Sequence, residues 1–166
     1  RVSTTCAVSK YDSETTSKAT SVYTLLFDSR RLYDSCIYEL RQRLFSLLKE
    51  DENAIFSLPY TFNQLYSVIK NADAYINTTL DTHAKQYVIK QSIESWKSFI
   101  ESLRSFIKNP ELFTGKPKIP KFLKSKHIIY NAITIDKSRF KSIDYINNTL
   151  MIPNTLIKIN VPKYIN

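Results

Sequence analysis

The densest chemistry in this chain is a run of five lysines, Lys116, Lys118, Lys121, Lys124 and Lys126, in eleven residues that begin just after the only glycine, Gly115. Pro117 and Pro120 fix their own φ angles and keep the run extended, so the ammonium groups cannot gather on one helix face. Phe122 adds a ring among them. An extended cationic chain with an aromatic anchor suits a phosphate backbone. The competing reading is a solvated linker that its lysines merely keep soluble. Arg30 and Arg31, followed by Tyr33, make a second basic spot. Neighbouring helical residues sit about 100° apart, so at least one arginine faces outward, and Asp28 or Asp34 is placed to pair with the other.

Other chemistries find no support in the residues. The two histidines, His83 and His127, and the two cysteines, Cys6 and Cys36, lack metal-ligand spacing. No nucleophile has a neighbouring base held by a third group. Asp136 and Asp144 are isolated carboxylates, whereas two-metal nuclease chemistry needs an acidic cluster. The cysteines read as packing residues in a reducing compartment. Asn77-Thr78-Thr79 and Asn147-Asn148-Thr149 match the glycosylation pattern, which arises by chance in a chain of this composition. Trp96 and Phe99 read as core. The expectation is a chain with no catalytic residues, no metal and no cofactor of its own.

Charge distribution strengthens the polyanion reading. Of 166 residues, 24 are Lys or Arg and 15 are Asp or Glu, a net charge of +9. Residues 1–103 are balanced, with twelve of each sign; residues 104–166 hold twelve cations against Glu111, Asp136 and Asp144. The whole excess therefore lies in the C-terminal part, which points to nucleic acid as partner. No apolar stretch approaches the length of a membrane span. The chain begins at Arg1 rather than Met and reads as a piece of something longer.

The elements that must position these residues follow from periodicity. Residues 2–9 alternate as a short strand. Val22, Leu25, Leu26, Tyr33, Cys36, Ile37, Leu40, Leu44, Leu47 and Leu48 predict a long amphipathic helix over about 19–50. Pro59 breaks the chain. Thr61 and Gln64 form a capping box for a short helix ending near Lys70 or Asn71, and 73–79 is a weak helix. Asp81 or Thr82 caps a further helix with a stripe from Ala84 to Ile107, ending at about Lys108 because Asn109 precedes Pro110. A basic Pro-rich loop follows over 109–126, then strands at 127–135, 142–146, 149–152 and 156–161. A lone N-terminal strand leaves backbone groups unpaired. The expected fold is therefore α+β: a small β-barrel made by 1–18 and 109–166, with an antiparallel helical bundle, 19–108, inserted between.

Three stretches together resemble the N-terminal region of TnpB, the OrfB-type transposon-associated proteins ancestral to type V CRISPR effectors. Phe27–Asp34 is similar to that family's first-helix pattern of two basic residues, an apolar residue, an aromatic and Asn, with Asp34 in place of Asn. Ala84–Ile100 is similar to its helix ending in an aromatic pair, here Trp96 and Phe99. Gly115-Lys116-Pro117-Lys118-Ile119-Pro120-Lys121-Phe122 is similar to its Gly-x-Pro-x-x-Pro-x-Phe loop and is the most specific of the three.

The resemblance implies a wedge-like β-barrel domain with a recognition insert, holding guide RNA and target-adjacent double-stranded DNA. It also implies a C-terminal RuvC-like nuclease portion beyond residue 166, using Mg2+ and acting in transposition, so that this chain alone is not an enzyme. Nuclease-dead relatives act as RNA-guided repressors. The expected location is the cytoplasm or nucleoid, or the nucleus for a eukaryotic or viral parent, with no membrane association. The expected nucleic-acid-binding residues are Arg30, Arg31, Tyr33, Lys116, Lys118, Lys121, Phe122, Lys124 and Lys126. A reading of a different class stands beside it: a helical protein-interaction domain whose basic tail is incidental.

Overall fold

A computed structural model of the protein describes residues 16–123, 143–144, 149–151 and 158–160. Four α-helices occupy most of it: α1 (Thr16–Leu47), α2 (Phe62–Ile69), α3 (Asp73–Ile76) and α4 (Thr82–Lys108). The apolar stripe of α1 is buried as its spacing requires, with Leu32, Cys36, Ile37, Leu40 and Leu44 fully inaccessible. Each of the aliphatic side chains among them contributes about 1.5–3 kcal/mol on burial. They meet Val88, Ile89, Trp96, Phe99, Ile100 and Leu103 of α4. Trp96 and Phe99 stand edge to face, their centroids 5.9 Å apart.

Local signals place the helix starts and stops. The Thr61 hydroxyl accepts from the Gln64 N–H at 3.4 Å and the Gln64 side chain accepts from the Thr61 N–H at 2.9 Å, a complete capping box. The Asp81 carboxylate accepts from the Ala84 N–H at 2.6 Å and starts α4. The helix stops at Lys108 because Asn109, held extended before Pro110, leaves helical geometry. α1 ends at Leu47, a little before residue 50, as Glu50-Asp51-Glu52 predict, since acidic side chains are poorly matched to a helix C-terminus. Asp51 then caps a 3₁₀ turn over Glu52–Phe56 by accepting from the Asn53 N–H at 2.8 Å.

α1 and α4 run in the same sense, and α2 between them runs against both. Near the start of α4, Thr79 meets Asp28; farther along, Ser95 meets Tyr33; near its end, Arg104 donates to the Phe56 carbonyl just beyond α1. The return path is the connection 48–81, in which α2 descends and α3 arrives beside Arg31. After Lys108 the chain turns and runs back down α1, bringing Lys116–Lys121 beside Arg41 and Leu123 beside Arg30 and Asp34.

The expected β-barrel formed from both termini is not found among the described residues. The described residues are 68% helical. Their strands, β1 (Ile143–Asp144), β2 (Thr149–Met151) and β3 (Lys158–Asn160), pair antiparallel in the order β1-β2-β3. Ile143 is paired in register with Leu150, and Leu150 with Ile159. A meander of two- and three-residue strands is far short of the length and strand number a closed barrel needs. β-branched residues favour pleated backbone but do not set how many strands pair. The expected strands at 2–9 and 127–135 lie outside the described residues. No helix among the described residues is long and apolar enough to cross a membrane.

Candidate nucleic-acid interface

The candidate site lies where the returning segment meets α1. Pro110–Leu112 forms a 3₁₀ turn and Phe113 packs edge-on against Phe106, with centroids 5.7 Å apart, closing the corner after α4. From there Ile119 and Leu123 pack on the helical core, while Lys116, Lys118 and Lys121 are exposed. The prolines keep the chain extended. A Cβ at Gly115 would meet nothing within 4 Å, so neither close approach nor a special backbone angle demands glycine there.

Arg30 and Asp34, one turn apart on α1, pin the segment by its backbone. The Asp34 carboxylate accepts from the Leu123 N–H at 2.8 Å, and Arg30 Nε donates to the Leu123 carbonyl at 3.0 Å. The two side chains also pair with each other at 3.4 Å. A residue with no strand neighbour thus has both its backbone groups satisfied by one ion pair. Burial pushes the Asp34 carboxyl above its ordinary value, opposed by the Leu123 N–H and the Arg30 guanidinium.

The anchored segment and the helices enclose an open cleft of about 380 Å³. Its rim carries four cations, Arg41, Lys116, Lys118 and Lys121; its floor is Ile55, Phe99, Leu103, Pro117 and Ile119. No carboxylate lines it, and among the described residues none of the three lysines is in an ion pair. The Arg41 guanidinium lies 5.3 Å from the centroid of the Phe122 ring, which is 46% exposed. Such a surface offers phosphates a multiple-cation contact and offers a base an apolar or aromatic face.

The remaining expected site residues fall elsewhere. Arg31 is committed to α3, with an ion pair to Asp73 at 2.5 Å and a further bond to the Asp73 carbonyl at 3.0 Å. Tyr33 is buried and donates to the Ser95 hydroxyl at 3.2 Å; burial raises its phenol pKa. Neither lines the cleft. Lys124 and Lys126 lie outside the described residues. Arg41 was missed by sequence reasoning, although a signal existed. It follows Arg30 by eleven residues, which on a helix brings it back to within about 20° of the same face.

Groups of more reactive chemistry are tied up in packing. Burial pushes the Cys36 thiol up to about 12, which leaves it neutral and unreactive near neutrality. The Trp96 indole is buried, with no acceptor for its N–H among the described residues, and Phe99 covers its edge. His83 is exposed in the first turn of α4. No group of three metal-ligating side chains occurs among the described residues. Comparison with protein families, with curated proteins and with solved structures found no match for this chain.

Proposed function

We propose that this chain binds nucleic acid through the basic cleft, as the N-terminal recognition portion of an RNA-guided DNA endonuclease of the TnpB type. The supporting observation is the way the segment is held. Backbone bonds to Arg30 and Asp34 and the packing of Ile119 and Leu123 fix the segment, and Lys116, Lys118 and Lys121 take no part in that anchoring. Ordering three lysines of like sign on one rim, beside Arg41, costs free energy that an anionic ligand recovers. The TnpB assignment rests on the motifs in Phe27–Asp34, Ala84–Ile100 and Gly115–Phe122. In that assignment the partners are guide RNA and target-adjacent duplex DNA. Strand cleavage then belongs to a C-terminal nuclease portion that uses Mg2+.

A second reading draws on a more apolar cleft on the other side of α4. Leu58, Phe62 and Ile93 line it together with Lys90, Glu94 and Lys97, which suits a partner helix. Salt distinguishes the two readings. Binding of labelled RNA is expected to weaken with a log–log slope near −0.7 per neutralised phosphate. Tight binding that ignores salt, or no binding at low salt, would reject the phosphate reading.

A further inference from the structure

We infer that the cleft between α1, α4 and the basic segment seats an unstacked base of a single-stranded nucleic acid, with the flanking phosphates on its four rim cations. This rests on the nucleic-acid reading above and goes beyond it by naming the form of the ligand. A purely phosphate-binding surface needs cations and nothing else. Here the cations surround a floor made of Phe99, Leu103 and Ile119 with the ring of Pro117, and no acidic group interrupts the rim.

The helices hold the floor in place. Phe99 and Leu103 belong to the buried stripe of α4 and Ile119 packs on the same core. The cleft is therefore shaped before any ligand arrives. Phe122, half exposed beside the rim with Arg41 over its ring, supplies a second surface for a neighbouring base.

A duplex cannot use this floor. Its bases are stacked and paired, so it presents only phosphates to the rim. A single strand can turn one base inward at little cost and gain the apolar contact. The inferred ligand is thus a nucleotide in a flexible strand, from RNA or DNA, recognised by stacking and charge rather than by base-edge hydrogen bonds.

The test uses the unaltered chain and three fluorescein-labelled probes: a 12-nucleotide single-stranded DNA, its blunt duplex, and the same strand with every base replaced by an abasic site. A single-stranded RNA of matching sequence forms a fourth arm, and comparison with the DNA strand shows which sugar is preferred. Expected are weaker binding of the duplex than of the single strand, and a loss of about tenfold for the abasic strand with an unchanged salt slope. Ile55→Glu, which places a carboxylate at the edge of the floor, is expected to weaken the single strand and to narrow its advantage over the abasic strand. Should that variant not fold, the abasic comparison on the unaltered chain still decides. Equal binding of abasic and normal strands, with a salt slope retained, overturns the base seat and leaves the phosphate reading standing. Absence of salt-dependent binding to every probe overturns both.

Discussion

Two connecting segments are pinned to α1 by polar side chains, and they differ in what is left over. Residues 72–81, between α2 and α4, are held by Arg31 on Asp73 and by Asp28, a buried carboxylate that accepts from both the N–H and the hydroxyl of Thr79 at 2.7 and 2.8 Å. That segment carries Asp73 and Asp81 and no cation. Asp73 is taken up by Arg31 and Asn77, and Asp81 caps α4. Residues 113–123 are held by the same device, Arg30 and Asp34 on the Leu123 backbone, yet they carry three exposed lysines and no acid. The first segment closes its charges within the fold. The second is anchored through its backbone and presents its charges outward. The difference separates a connection whose charges are paired within the fold from one whose cations remain exposed, which is the contrast the proposed function rests on.

The largest expected effect breaks the structural segment. Asp28→Ala removes a buried carboxylate that accepts two bonds from Thr79, and is expected to cost about 2 kcal/mol in urea unfolding. A cost below about 0.5 kcal/mol would show that the Asp28 bonds do not hold 72–81. Asp34→Ala comes next, at about 1 kcal/mol, since this carboxylate is partly exposed and its N–H partner can turn to water. Its clearer signature is local. Trypsin should cut faster after Lys118 and Lys121, while Lys116–Pro117 stays resistant in variant and parent alike. Unchanged cutting rates would mean that Ile119 and Leu123 packing alone holds the segment.

A pH series sharpens the same contrast. The folded state holds Asp34 with its carboxyl above the ordinary value, so folding favours the protonated form. The stability it contributes is full below pH 3.8 and declines as pH rises through the raised value. Asp34→Asn is expected to remove that decline from the stability–pH curve measured above pH 3.8. A curve parallel to the parent's would contradict the placement of Asp34. The smallest effect is at Gly115, where Ala meets open space. Gly115→Ala should shift stability by less than about 0.5 kcal/mol and leave binding unchanged.

What could be read in the sequence was local. The Thr61–Gln64 box, the Asp81 cap and the stop before Pro110 each depend on residues within four positions, and each occurs as its spacing predicts. What could not be read depends on distant partners. Arg30 finds Leu123 at a separation of 93 residues, and no local pattern distinguishes an arginine that grips backbone from one that faces phosphate. The barrel expectation failed because runs of Ile, Thr and Val show where strands can form, not how long they are or whether they close. In the cleft, the lysines were legible from composition and the prolines. Arg41 required the helix to be followed three turns beyond Arg30.

The most direct measurement of the central claim is the salt dependence of RNA binding by Lys118→Ala/Lys121→Ala beside the parent chain. Both lysines are exposed and outside every described ion pair. The unfolding midpoint should therefore stay where it is, while affinity falls for all sequences alike and the slope drops by about 1–2 units. Equal affinity and an equal slope in the two proteins would contradict the account and make the segment an anchored, solvated connection.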